Sequence, residues 1–576
     1  MHPTNARKRL TRSRGVAVLA AAVLSLSVVT AVSPAVAAPS SSAPVDSGMV
    51  QYQVRPTNGD ASALADALSS AGYDVDGGTA GTIFVHAPAA AEAALRARAD
   101  LTVVAANPIK FFDAAAPASQ DAILPSLLKG KKYPTFYGGY RTVKGYTQFE
   151  DDLETAYPDL VKVMEYGKTY TKDHDLRVVC VTADADKGCK LQADVDKARF
   201  MFVAQIHARE LTTSEMTWRM LALLTDQYGK DADITALLEE TEIWIVPEIN
   251  PDGIETVERG FLGESGGYTF QRKNMHQEDS CGAQTLGTDL NRNFDSNWGG
   301  AGSSPNPCDE TYHGAKVASE PETYNLQDLI KTIFEDQRGS KPDDPAPQDT
   351  RGTLLSLHTY GNLSMFPYGD SRTTPNDTGL RSLAFRYSNY NGYTTGQTDE
   401  VLYQVTGSTD DFSYEALGIA GFTFEIGPDG GTCGGFHPAF SCQDGFWDLN
   451  KDAFLYAARS AQQPYVMGLG PNPVQAKSKN SSATKAVITA TADDDAYGTV
   501  GVGRPASQNV TAGRVFVGTA PWDGGKAQAM KVIGSGKKVN LKVSLKRQAT
   551  DQLVWIQAKD AAGNWGPTRS VWLPKK

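Results

Sequence analysis

The run Phe200-Met201-Phe202-Val203-Ala204-Gln205-Ile206-His207-Ala208-Arg209-Glu210 sets a short apolar stretch directly before a His-x-x-Glu tetrapeptide. An apolar run of that length, with no helical spacing, reads as a strand buried on both faces. A side chain just past the C-terminal end of such a strand lies at the crevice of an open α/β sheet. Working outward, Ile243 to Ile249, Thr353 to His358 and Gly421 to Ile426 have the same texture, while Tyr146 to Tyr157 and Thr213 to Tyr228 carry helical spacing. The segment from Tyr133 to Gln463 therefore predicts an α/β domain whose central mixed sheet is flanked by helices.

The whole chain has 576 residues, 41% apolar and 21% charged, with a net charge of -11. At about 100 to 200 residues per domain this is a globular chain of several units. Collagen, coiled coil and wholesale disorder are excluded, and the acidic total argues against nucleic acid as the main partner. Residues 1–37 read as a signal peptide: Arg7, Lys8, Arg9, Arg12 and Arg14 precede an apolar run that ends in Ala35-Val36-Ala37. No later run reaches the about 18 apolar residues that would span a bilayer. A secreted, extracellular protein is expected, with no membrane span.

Residues 38–132 read as a pro-segment holding a small α/β unit. Its strands are Met49 to Arg55, Thr82 to His86 and Leu101 to Ala106, and its helices Ala61 to Ala71 and Ala90 to Ala99. The alternative is an ordinary domain retained in the product. The Ala/Ser/Pro-rich stretch Asp113 to Lys132, ending in Lys129-Gly130-Lys131-Lys132, reads as an exposed linker open to a protease. Residues 464–576 read as an all-β sandwich that is basic, with 16 Lys+Arg against 6 Asp. That charge suits contact with a cell wall or another anionic polymer.

Six cysteines fall in close pairs, Cys180 with Cys189, Cys281 with Cys308, and Cys433 with Cys442, and export makes three disulfides the natural reading. His207 and Glu210, joined by His358 at a second strand end, offer two nitrogens and one carboxylate. That set leaves a fourth position open on zinc, as catalytic rather than structural sites do.

Seven motifs then stand in register: His207-Ala208-Arg209-Glu210, Asn250-Pro251-Asp252-Gly253, Gln271-Arg272-Lys273, Gly287 to Phe294, Leu357-His358-Thr359-Tyr360, Tyr403-Gln404 and Phe422-Thr423-Phe424-Glu425. In order and rough spacing they resemble the secreted zinc carboxypeptidases of the A/B type, over about residues 133 to 460. Cys281 with Cys308 also resembles a disulfide of that family.

The resemblance implies a central mixed sheet of eight strands and one zinc ion held by His207, Glu210 and His358, with Asp289 behind His207. It implies Glu425 as general base, Arg272 on the oxyanion, Asn291 and Arg292 on the substrate's terminal carboxylate, Tyr403 closing over it, and Arg209 and Tyr360 in further subsites. Tyr403 and Glu425 lie 22 positions apart, the family's own spacing, and this places Asp410 at the pocket floor that is acidic in the B type. An acid there suits C-terminal Lys or Arg, and some bacterial relatives with such a pocket also accept apolar residues. The expectation is a monomeric exopeptidase acting on peptides and proteins. The alternatives are a cell-wall peptidase on the same fold, or a surface-binding protein whose middle domain is inert.

Overall fold

The computed structural model describes residues 45–76, 81–111, 123–277, 280–282 and 284–576. The signal-peptide reading and the first part of the linker lie outside them. Among the described residues no helix is long and apolar enough to cross a membrane.

The N-terminal domain is a four-stranded antiparallel sheet with strands β1 (Val45–Pro56), β2 (Asp74–Asp76), β3 (Ile83–Pro88) and β4 (Leu101–Phe111) in the order β2-β3-β1-β4. Tyr52, Val54, Leu64, Leu68, Val85 and Leu95 fill its core. The helix expected over Ala90 to Ala99 is shorter, Glu92–Ala97 after a 3-10 turn. Arg98 is extended there, which ends the helix.

The central sheet of the middle domain has eight strands: β5 (Val161–Lys168), β6 (Asp175–Val181), β7 (Ala198–Val203), β8 (Thr241–Val246), β9 (Thr353–His358), β10 (Leu363–Phe366), β11 (Thr394–Gln397) and β12 (Ala420–Glu425). They form one mixed sheet in the order β11-β10-β12-β9-β7-β8-β6-β5. Alternation along each strand feeds two cores, since successive side chains leave opposite faces. Phe200, Phe202, Ile243, Ile245, Leu355 and Leu357 enter one core, and Met201, Val203, Trp244, Val246 and Leu354 the other. The helices Leu211–Gln227 and Gln443–Ser460 cover the first face, Pro321–Ile333 and Thr409–Leu417 the second. Leu124 and Leu128 bury in the first core, although they precede Tyr133, while Lys129 to Lys132 are exposed. All three expected disulfides are present.

The C-terminal domain is all-β and antiparallel: β13 (Asn472–Asn480), β14 (Lys485–Asp493), β15 (Val510–Val517), β16 (Gln528–Ile533), β17 (Lys538–Lys546), β18 (Gln552–Asp560) and β19 (Arg569–Leu573), in the order β13-β14-β17-β16-β15-β18-β19. It docks through polar anchors. Arg386, fully buried, donates to the carbonyls of Gly468, Gly470 and Asp494 and lies 3.7 Å over the Tyr497 ring. Asp233 takes Arg569 at 2.7 Å and Arg459 at 3.2 Å. Thr395 on β11 bridges Gly501, with Val502 N–H donating to the Thr395 carbonyl at 2.7 Å.

Candidate active site

β7, β9 and β12 run parallel, so their C-terminal ends open on the same edge of the sheet. The register sets His358 directly beside Glu425. β7 stops at Val203, earlier than the expected Ile206, because Gln205 turns out of the strand with φ +53°. Its N–H is satisfied by Thr213 Oγ1 at 3.1 Å and its side-chain amide by the Ala208 carbonyl at 3.1 Å. This turn presents His207 at the sheet edge and starts the helix Leu211–Gln227 right after Glu210.

Asn250 ties the neighbouring loop down. It caps the helix Pro251–Leu262 by accepting from Gly253 N–H at 3.1 Å, and its amide donates to the carbonyls of Ile206 and Lys273. A Cβ at Gly253 would stand 2.8 Å from Ala208 Cβ, so the approach of this helix to the His207 loop requires glycine. Ala208 N–H donates to the Arg272 carbonyl at 3.1 Å, which clamps the loop bearing Arg272 onto the same turn.

His207 Nδ1 lies 2.8 Å from Glu210 Oε1, His358 Nδ1 is 3.2 Å from His207 Nδ1, and His358 Nδ1 is 3.2 Å from Glu210 Oε2. Tetrahedral zinc with bonds of about 2.0 to 2.2 Å needs ligand-to-ligand edges of about 3.3 to 3.6 Å, so these separations, which involve both oxygens of Glu210, come close to what the ion requires. Two ring nitrogens facing each other beside a carboxylate is an arrangement that a shared cation satisfies. Burial works to raise the Glu210 carboxyl, and the two imidazoles outweigh it, holding the group below the usual carboxylate range. Burial lowers His358, which favours the neutral imidazole a metal requires.

Asp289, fully buried, joins two sides of the site. Its Oδ1 is 3.1 Å from His207 Nε2, and its Oδ2 accepts from Arg272 Nε and Nη2 at 3.1 and 2.9 Å. Asn291 accepts from Thr409 at its amide oxygen, which leaves its NH2 to donate elsewhere. Arg292 donates Nε to Gly302 O and Nη1 to Asn291 O, while Nη2 has no partner among the described residues. Asp410 Oδ2 and Glu425 Oε2 are likewise buried and unpartnered among the described residues, and Asn291, Arg292, Asp410 and Glu425 line one cavity with Tyr403. Burial, then the carboxylates of Glu210 and Asp76, push Glu425 well above the usual range. Asp411 does not face this cavity; it accepts from Gly369 N–H.

The sequence reading missed a second layer, supplied by the N-terminal domain. Asp76 on β2 is part of the cavity wall. Asp74 binds both Nη atoms of Arg209, whose guanidinium also lies 3.9 Å over Phe436. Tyr360 OH meets His86 Nε2 at 2.9 Å and accepts from Gln51 Nε2 at 3.0 Å. Tyr403 and Val405 pack into the N-terminal domain's core, and Gln404 N–H donates to Asp66 at 3.0 Å. What remains of the cavity is about 30 Å³, room for about one or two waters.

The family described as "Zinc carboxypeptidase" matches residues 146–452. A "Zinc carboxypeptidase A 1" of Anopheles gambiae is 29% identical over 321 residues, which cover 54% of this chain and 64% of that one. "Carboxypeptidase A2" of Rattus norvegicus is 30% identical over 299 residues, 50% of this chain and 63% of its own length. The matched region thus spans less than two thirds of these relatives. Among solved structures, a carboxypeptidase A from Helicoverpa armigera superposes with TM-score 0.57 at 20% identity, covering 73% of this chain and 99% of that one, a likeness of fold.

Proposed function

This chain belongs to the zinc carboxypeptidase family, and from that premise we propose that it removes single residues from the C-terminus of peptides, with Lys and Arg preferred and apolar residues accepted. Three buried atoms of charged side chains, with neither a hydrogen-bond nor an ion-pair partner among the described residues, lie in one cavity and carry this reading: Arg292 Nη2, Asp410 Oδ2 and Glu425 Oε2. A buried polar group without a partner is costly, so the three are matched to a ligand that brings an anion, a cation and a transferable proton.

The family's cofactor is zinc, and His207, Glu210 and His358 would hold one ion, supplying a Lewis acid for the scissile carbonyl and an acidified water. Glu425 takes the water's proton at Oε2 and returns it to the leaving amine. Its position beside His358 in the sheet register supports that role. Arg272 has Nε and Nη2 on Asp289, so Nη1 is the donor left for a developing oxyanion. Arg292 and Asn291 bind the terminal carboxylate, and Tyr403 closes over it. Fixing that carboxylate a set distance from the metal ligands confines cleavage to the last peptide bond. Asp410 at the floor pairs with a cationic side chain, and the orientation of Asp411 toward Gly369 supports Asp410 as the specificity residue.

We further propose that residues 38–132 are an inhibitory pro-segment and that the protein is exported. The contacts of Asp74, Asp76, His86 and Gln51 with the cavity support the first, and three disulfides the second. The test is amino-acid release from peptides differing only in the last residue, with and without a chelator. Release of one terminal residue, fastest for Lys and Arg and abolished by chelation, is expected. Chelator-insensitive release or internal cleavage overturns the reading.

A further inference from the structure

We propose that the outer face of the C-terminal sheet, over β13, β14, β17 and β16, is a docking surface for a flexible linear polyanion of the polyphosphate kind, with one negative charge per repeat and no bases. On β14 and β17 the alternation is clean. Ala486, Ile488, Ala490 and Ala492 face inward with Val539, Leu541 and Leu545. The opposite face carries Lys485, Lys538, Lys542 and Lys546, joined by Lys477 and Lys479 from β13 and Lys531 from β16.

All seven lysines are exposed. Lys538 alone has an acidic partner among the described residues, Asp493 at 2.7 Å, and Asp493 is the one acid on this face. Six positive charges are left without compensation. Lys477, Thr489, Lys542 and Lys531 stand in a single row across four strands, about 14 Å end to end at about 4.8 Å per strand.

Two register pairs decide against a merely solubilising role. Lys485 is directly opposite Lys546, and Lys542 directly opposite Lys531. Like charges at such positions destabilise a sheet. A surface that only needed to be soluble would interleave acids, and this domain has no glutamate at all. The lysine array therefore works against the fold and for a partner.

The chemistry of the face selects that partner. It has no outward aromatic residue on these strands on which a base could stack. It has no outward arginine on them either, and so no planar fork for a fixed phosphate. Lysines are point charges on flexible stems, suited to an anionic polymer bound through counterion release. The polar anchors to the middle domain lie elsewhere, at Asp494, Tyr497, Trp522 and Arg569. Among the described residues the face is thus uncovered.

The test uses the full-length protein and long-chain inorganic polyphosphate as probe. Binding is expected at 50 mM salt, with affinity falling steeply as salt rises, at a log–log slope of about -4 to -5 for six contacts. The variant Lys477→Gln/Lys531→Gln/Lys542→Gln/Lys546→Gln should lose about tenfold or more in affinity and flatten the slope, with a melting temperature unchanged or higher. The control Lys526→Gln/Lys575→Gln/Lys576→Gln, off this face, should bind as the parent does. Equal weakening by both variants, tighter binding to single-stranded oligonucleotide than to polyphosphate, or binding to anionic phospholipid vesicles alone would each overturn the proposal. Chelator-treated protein should bind polyphosphate unchanged, so this proposal and the peptidase reading fail separately.

Discussion

Arg209 and Asp74 form a two-pronged ion pair across the boundary between the middle and N-terminal domains, with Nη1 2.6 Å and Nη2 2.7 Å from the carboxylate oxygens. Arg209 adjoins Glu210 in sequence, so the pair anchors β2 at the mouth of the site. Breaking a buried pair by removing one partner leaves an uncompensated charge, worth about 3 to 5 kcal/mol. Asp74→Ala should therefore loosen the N-terminal domain and raise the activity of the uncut chain about tenfold or more. After limited trypsin the variant and the parent should be equally active. An uncut parent as active as the cut one would remove the inhibitory role.

Glu425→Gln keeps the shape and removes the proton acceptor. The expected loss in kcat is about 100-fold to 10,000-fold, with KM changed little and zinc content by metal analysis equal to the parent. Loss of zinc alongside loss of activity would recast Glu425 as a support for the metal ligands.

Asp410 and Asp411 are adjacent and both buried, yet only Asp410 faces the cavity. Asp410→Ile should lose about 100-fold or more in kcat/KM for Lys and Arg termini and gain on Leu and Phe. Asp411→Asn should leave the ranking of terminal residues as it was. The reverse pattern would shift the specificity role by one residue.

Glu240 sits at the seam between the middle and C-terminal domains and accepts from Trp522 Nε1. Burial pushes its carboxyl up to about 8, against an ordinary value of 4.5. A folded-state value raised in this way gives stability that is complete below about pH 4.5 and is lost as pH rises through about 8. Urea midpoints measured from pH 5 to pH 9 should fall for the parent and fall less for Glu240→Gln. Parallel curves would show that the seam does not sense pH through this group.

Truncation after Gln463 should lower the melting temperature of the remaining chain. Arg386 would lose the carbonyls of Gly468, Gly470 and Asp494 and the ring of Tyr497. A truncated protein as stable as the parent would show the C-terminal domain to be an independent appendage.

Much of this molecule was legible because its information is local. Apolar runs such as Phe200 to Ile206 specify strands through burial on both faces, and the residues just after them fall at the sheet edge whatever the details of packing. The end of β7 was misjudged by three residues, since the left-handed turn at Gln205 depends on Thr213 and Ala208 rather than on an apolar pattern. Cysteine spacing pointed to the disulfides, because cysteines close in sequence meet each other first. The N-terminal domain's hold on the cavity was not legible. β2 is three residues long, and Asp74 meets Arg209 from 135 positions away, a contact that no window of sequence contains. Asp410 against Asp411 needed the same kind of knowledge, since a helix start turns neighbouring side chains in different directions.

The bridge between Thr395 and Gly501 has a consequence for how copies of this protein meet one another. β11 is the last strand on its side of the central sheet, and an uncovered last strand is a template onto which a foreign chain can crystallise strand by strand. Here the molecule's own tail lies along that rim and terminates the ladder. At the opposite rim β5 breaks register between Glu165 and Gly167, a bulge that spoils the fit for any incoming strand. Clipping the tail would reopen the first rim, so the proteolysis proposed for the N-terminal segment has to spare the C-terminal one.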